Sequence, residues 1–287
     1  MSSLATRFGT PQSLEDFERK AQMMNLETYR AVFEGFQAYL WTRNSGRLLW
    51  MTHPSWPSNM WQIYGSDYDT PAAYYGVKSA CEPIHVQMNL PDFALAVVNT
   101  TRQKRANLTL RARVVSLDNR VLAQREDRLD AGANAVTTLK PLDLAPLLER
   151  ESLVLVALTL DDATGTRLSE NLYWQGRDEA SDQRLNALPT QPVEINAQAS
   201  RQGGETLLSV DLGNPGNVAA LEVKLTALDE KGNRVLPVYY SDNYIAVLPR
   251  EHRRVEIRCP KQGAACTRLA VRGWNVQART VRVGGAP

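Results

Sequence analysis

The chain has 287 residues, is 43% hydrophobic and carries a formal net charge of +2 at pH 7, so it is long enough to bury an ordinary core and to hold two domains with part of a third. Mixed-sign charge of this kind excludes the basic field a nucleic acid needs and the acidic field that gathers cations. No apolar run approaches the roughly 20 residues that cross a bilayer, so neither a nucleic acid nor a membrane is expected as partner.

The opening, MSSLATRFGTPQSLEDF, has neither the basic nor the apolar region of a signal peptide. An export signal upstream of Met1 is compatible with the same residues, and the compartment stays open. Residues 13–40 place Leu14, Phe17, Ala21, Met24, Val32, Phe33, Phe36 and Leu40 on a helical stripe, with Ser13 and Asp16 as a capping-box-like start. Gly46 breaks the stripe. Arg47–Met51 then reads as a short buried strand, and Pro54 and Pro57 force an extended loop after it. Thr70 as N-cap, Pro71 at the first helical position and Pro83 as terminator predict a helix over 70–81. Helix, strand, loop and helix follow one another as in one unit of a (β/α)8 barrel.

From Ile84 the apolar period changes to two and stays there. IHVQMN, FALAVVN, NLTLRARVVSL, SLVLVALTL and RLSENLYW read as the strands of one antiparallel sandwich, residues 84–180. After the polar joint DEASDQRLNALPTQP, the runs VEINAQAS, TLLSVDLGN, VAALEVKLTALD, LPVYY, YIAVLP, RRVEIRC and TRLAVRGWN read as a second, residues 181–287. Residues 97–122 and 210–236 align as strand, Asn-containing turn, long alternating strand and Asn-Arg-Val-Leu, as two copies of an immunoglobulin-like sandwich would. The expected architecture is mixed: a partial (β/α)8 barrel end over 1–83, then two antiparallel β-sandwiches. Cys81, Cys259 and Cys266 make no metal-spaced set; Cys259 and Cys266 flank PKQGAA, where buried thiols and a bridge are both compatible with the spacing.

Chemistry is expected where the barrel strand ends. Trp50 and Trp56 offer flat faces on which the C–H side of a sugar ring stacks, with core packing as the alternative; Thr52 and His53 follow the strand directly and hydrogen-bond hydroxyls. Trp61 reads as part of a buried return segment. A glycosidic bond is cut between two carboxyl groups about 5 Å apart in retaining enzymes. Glu15, Glu18, Glu27 and Glu34 fall on the long helix and Glu82 on a helix-to-strand joint, so no such pair is supplied. His53, His85 and His252 stand near no strained nucleophile turn, and there is neither a phosphate loop nor a metal cluster. Ser241-Asp242-Asn243 reads as a turn held by its own side chains, with a calcium or sugar contact as the alternative.

The blocks W-M-x-x-x-x-W-P-S, A-Y-Y-G-x-K-x-A-x-E-P-x-H-V-Q and Y-S-D-N-Y, with VRGWN, resemble the C-terminal part of glycoside hydrolase family 2, in the branch of exo-β-D-glucosaminidases, β-mannosidases and endo-β-mannosidases. The resemblance implies hydrolysis of β-linked glucosaminyl or mannosyl residues through a glycosyl-enzyme intermediate, without a cofactor. It implies that both catalytic glutamates lie upstream of Met1, and that this chain alone is inactive. Trp50, Thr52, His53 and Trp56 would shape the substrate pocket, His53 standing where several relatives have Asn. The implied partners are a β-linked oligosaccharide or glycan and the missing part of the barrel, in cis or as a separate chain. The alternative is a non-catalytic immunoglobulin-like tandem that binds or braces. A barrel fragment leaves an apolar strand and helix faces uncovered; a self-sufficient module does not.

Overall fold

The structure, a computed structural model, describes residues 2–58, 62–202, 205–260 and 264–285. The chain forms α1 (Ser2–Phe8), α2 (Leu14–Gln37), α3 (Ala72–Ala80), β1 (Ile84–Met88), β2 (Ala94–Asn99), β3 (Arg105–Val115), β4 (Val121–Ala131), β5 (Ala135–Pro141), α4 (Ala145–Glu151), β6 (Leu153–Asp161) and β7 (Arg167–Gly176). A 3-10 segment, Glu179–Ala187, leads to β8 (Glu194–Gln202), β9 (Glu205–Gly213), β10 (Ala220–Leu228), β11 (Tyr239–Tyr240), β12 (Ile245–Val247), β13 (His252–Cys259), β14 (Arg268–Arg272) and β15 (Arg279–Arg282). It divides into two compact units: Met1–Leu14, Met24–Leu49 and Gly76–Ala187 in one, and Glu15–Met23, Trp50–Tyr75 and Leu188–Pro287 in the other.

In the first unit, sheet β1-β2-β5 and sheet β4-β3-β6-β7 are antiparallel throughout. Val86, Met88, Leu95 and Val97 from one join Leu110, Val114, Val156 and Leu158 from the other in a single buried cluster. Each such aliphatic side chain contributes about 1.5–3 kcal/mol by leaving water, which the period-two pattern makes possible by aiming alternate residues inward. The 3-10 segment ties α1 down: Arg7 Nε donates to Asp182 at 2.7 Å, and Gln183 and Asn186 donate to the carbonyls of Thr6 and Phe8.

The second unit carries sheets β11-β13-β9-β8 and β12-β10-β14-β15. In β13 the alternate residues Val255, Ile257 and Cys259 are buried. Cys259 and Cys266 are joined by a disulfide, and Cys81 is a free, exposed thiol. The internal repeat has a physical basis. Asn99 and Asn214 are both buried at the end of a strand; each accepts the amide two residues on and donates its Nδ2 to a distant carbonyl. The turn after each long strand also recurs, with Ser116 N–H bonded to the Arg120 carbonyl and Asp229 N–H to that of Asn233.

Two local expectations need correction. Residues 47–51 pair with no strand among the described residues, and Leu48 is 96% exposed. A parallel-barrel strand gets its hydrogen bonds and its burial from neighbouring strands, and among the described residues this segment joins no sheet. Helices do form on either side of it. Thr70 does not cap α3 either: its hydroxyl bonds Tyr75 OH at 2.8 Å, and the Ala72 amide is taken by Gln22 Oε1 at 2.9 Å.

Candidate functional site

The loop after residue 49 is built without regular structure. Its Pro54 is buried while Trp50 and Trp56 stand 79% and 69% exposed, with Thr52 also exposed. Met51 adopts a φ of 57°, a left-handed conformation unfavourable for a long side chain. Trp61 lies outside the described residues.

His53 is the half-buried member of this loop. Its imidazole stacks on Tyr68 at 4.5 Å between centroids and 17° between planes, and its buried Nε2 has no hydrogen-bond partner. Tyr68 reaches that position because Gly65–Asp69 is a tight turn: the Gly65 amide donates to the Asp69 carbonyl at 2.8 Å and the Tyr68 amide to the Gly65 carbonyl at 3.0 Å. Arg234 holds the turn from outside, bonding Asp69 at 2.9 Å and Asp67 at 2.8 Å. Burial works against the charge on Asp67, but the Asp69 amide and Arg234 outweigh it and hold its pKa below the ordinary carboxylate range. Thr52 is fixed by its backbone, the carbonyl accepting from the Tyr64 amide at 3.1 Å. The four residues expected to contact substrate therefore share one loop, where the two indoles and Thr52 are exposed and the His53 Nε2 is unpartnered. Tyr68 and Arg234 escaped the sequence reading; the dipeptide turn signals at Gly65 and Asp67 were the one hint.

The E-P-x-H-V-Q block behaves differently. His85 is fully buried, with Nε2 3.0 Å from Glu34 and Nδ1 3.1 Å from Glu82. Glu34 further accepts from Asn171 at 2.7 Å and from Tyr173 OH at 2.9 Å, Arg30 bonds Asn171 and lies 4.5 Å over the Tyr173 ring, and Gln87 donates to the Glu34 carbonyl. Ser169 takes up Glu82. Burial lowers the affinity of His85 for a proton, but the two carboxylates overcome it and push the pKa up to about 9. His85 and Glu34 thus have their polar atoms paired within the fold. The glutamates of this network, like Glu27 on Arg7 and Glu18 on Arg272, are engaged by cations or donors and form no facing catalytic pair.

Two family models fit the chain, the mannosidase Ig/CBM-like domain over residues 92–176 and the Ig-fold domain of exo-β-D-glucosaminidase over 171–276. The exo-β-D-glucosaminidase of Hypocrea jecorina is 28% identical over 96% of this chain and 33% of its own length. The exo-chitosanase CsxA of Amycolatopsis orientalis superposes with a TM-score of 0.90 at 28% identity, over 98% of this chain and 36% of that one. Along its length the chain is similar to enzymes of the exo-β-D-glucosaminidase and β-mannosidase branch of glycoside hydrolase family 2, and its Ig-fold domains are of their type. A plant member of that branch, the mannosylglycoprotein endo-β-mannosidase of Lilium longiflorum, is 25% identical over 93% of this chain. The chain spans about a third of the length of these curated relatives. The likeness blocks divide by environment: the tryptophan block is largely exposed, whereas His85, Val86 and Gln87 of the histidine block are buried.

Proposed function

We propose that this chain is the C-terminal segment of a retaining β-glycosidase acting on β-linked glucosaminyl or mannosyl residues. Residues 1–83 would supply the last helix, strand and helix of its (β/α)8 barrel, with the two sandwiches over 84–180 and 181–287 as braces. The observation that carries the reading is the uncovered stretch Leu48–Trp56 in a chain that otherwise matches an exo-chitosanase along its length. Large exposed apolar side chains concentrated in one segment mark a surface that another piece of protein or a ligand covers. Completed by the rest of the barrel, residues 47–51 would gain strand neighbours on both sides, and the loop after them would line the active-site mouth.

In that setting the chemistry divides cleanly. Two glutamates outside this chain would act as acid/base and nucleophile. Trp50 and Trp56 would stack on the apolar face of the sugar, and Thr52 with the free nitrogen of His53 would bond its hydroxyls, His53 being oriented by Tyr68. None of the four would move the reacting proton. The alternative, a self-sufficient binding or bracing tandem, leaves the exposed segment without a purpose.

The test is hydrolysis of aryl β-D-glucosaminides and β-D-mannosides by this chain and by the same chain extended upstream in its genomic frame. Activity in the extended form alone supports the segment reading, and the faster substrate names the sugar. In that active form Trp56→Ala is expected to raise KM with the fold intact; unchanged kinetics would remove Trp56 from the site. Hydrolysis by the chain alone would place the catalytic carboxylates among those assigned here to structure.

A further inference from the structure

The YSDNY and VRGWN blocks converge in the second unit on a cleft of about 270 Å³ that the hydrolytic reading does not use. Strand β10 is bulged there. Its pairing with β12 shifts register between Ala220 and Val223, and Glu222 is left with a φ of 54°. The VRGWN block holds the bulge: the Trp274 amide donates to the Leu221 carbonyl at 2.8 Å, and Asn275 accepts from the Leu221 amide and donates to the Ala219 carbonyl. A side chain at Gly273 would meet the Leu221 carbonyl at 2.8 Å. From the YSDNY block, Asn243 bonds both the amide and the carbonyl of Leu225, and so delivers Tyr244, itself at a φ of 53°.

What these two strained residues present is unusual. Glu222 is 5% exposed and Tyr244 4% exposed, yet Glu222 Oε1 and the Tyr244 hydroxyl have no hydrogen-bond partner, and both side chains line the cleft. Buried polar atoms are nearly always paired, and strain of this kind collects where a ligand is held.

Charged groups of both signs face Glu222. From α2 come Glu15, Asp16, Glu18 and Arg19; from β10 itself, Lys224; from β14, Arg272. Arg272 is paired with Glu18, and both Arg19 and Lys20 with Asp16. Lys224 lies 5.2 Å over the Tyr244 ring. The surrounding charges thus pair with one another, and among the described residues none forms an ion pair with Glu222. Burial, reinforced by Glu18, accordingly pushes the Glu222 carboxyl well above its ordinary range and favours its neutral form. A ligand ammonium set against the unpartnered Glu222 Oε1 would supply the ion pair that the fold does not, and so favour its ionised form.

We propose that this cleft is a binding site for a small hydroxylated primary amine, its ammonium paired with Glu222 and a hydroxyl bonded to Tyr244. Ligand sites usually enclose roughly 300–1,000 Å³, so a cleft of this size takes one ring, not an oligomer. An amino sugar monomer has that size and chemistry. The two groups that would touch the ligand, Glu222 and Tyr244, lie outside residues 1–83 and are distinct from Trp50, Thr52, His53 and Trp56, so this site stands or falls apart from the hydrolytic reading.

The probe is glucosamine, titrated calorimetrically into the full chain at neutral pH in two buffers of different ionisation enthalpy. Saturable binding at one per chain is expected, with a proton released as Glu222 ionises. Glucose, which lacks the amine, is expected to bind at least tenfold more weakly. Affinity should rise with pH, by up to about tenfold per pH unit, as long as the ligand amine stays protonated. Glu222→Gln keeps the shape and abolishes the charge; it should lose the proton release and at least tenfold in affinity, and Tyr244→Phe should lose several-fold. An unchanged melting temperature verifies that each variant is folded, and should Glu222→Gln not fold, the proton count on the native chain and Tyr244→Phe decide. Absence of saturable heat, equal binding of glucose, or binding without proton release would overturn the proposal.

Discussion

His85 has both ring nitrogens within hydrogen-bond distance of carboxylates and no exposed surface, whereas His53 sits half-buried in a loop between exposed tryptophans with one nitrogen unpartnered. Both belong to blocks shared with glycosidase relatives, so likeness alone does not separate them. Satisfaction of hydrogen bonds does. A buried polar group whose partners are all within the fold contributes to stability and is unavailable to a ligand, while an unpaired one is a cost that a ligand can relieve. The first unit's network is thus read as a fastener and the second unit's loop as a surface awaiting contact.

The largest expected effect comes from breaking the fastener at its hub. Glu34→Ala would strand His85, Asn171 and Tyr173 together, three buried groups that now share one carboxylate. Removing one partner from a buried charged pair costs about 3–5 kcal/mol, so urea unfolding should show a loss of that order. A loss below about 1 kcal/mol would mean that water reaches the network and that it is no fastener.

A milder perturbation is pH. His85 is raised from 6.5 to about 9 in the folded protein, so the folded state holds the proton more tightly than the unfolded one. Its contribution is complete below pH 6.5, decays as pH rises toward 9, and amounts to roughly 3 kcal/mol by linkage. The melting temperature should fall across that window. Glu222, pushed up by burial, adds a loss in the same direction, while Asp182, raised to about 6 by burial, acts below it. The comparison with His85→Gln isolates the histidine: the variant should be flatter between pH 6.5 and 9, and equal slopes would refute the assignment.

Much of this architecture is legible in the chain, for reasons that also explain what is not. The stripe over 13–40 yields α2 at Leu14–Gln37, and period two from Ile84 yields the inward-facing strands. Strand β4, VLAQREDRLDA, escapes that pattern because its residues are largely charged and exposed. It is held by pairing with β3 and by ion pairs such as Arg111 with Glu126 at 2.9 Å. The expected strand at 47–51 fails for the converse reason, since apolar composition does not make a strand without neighbours to bond. Contacts distant in sequence were invisible: nothing local ties Glu34 to His85 or Gln22 to the start of α3. Along β10, simple alternation puts Glu222 on the same face as half-exposed Lys224, and only the bulge buries it. The likeness blocks single out both groups of residues, but burial and hydrogen bonding are what separate the buried network around His85 from the exposed loop around His53.

The smallest expected effect is the sharpest for the loop. Trp50 and Trp56 are among the bulkiest side chains present, and in a core each truncation to alanine would cost about 3–5 kcal/mol. Here both rings lie mostly in water, so little surface is returned to solvent when they are removed. Trp50→Ala and Trp56→Ala should each change the unfolding free energy of this chain by no more than about 0.5 kcal/mol, the range of ordinary surface substitutions. Losses above about 1.5 kcal/mol would show that the indoles are packed against the protein in solution. They would then belong with His85 among the fasteners, and the contrast that marks the loop as a contact surface would disappear.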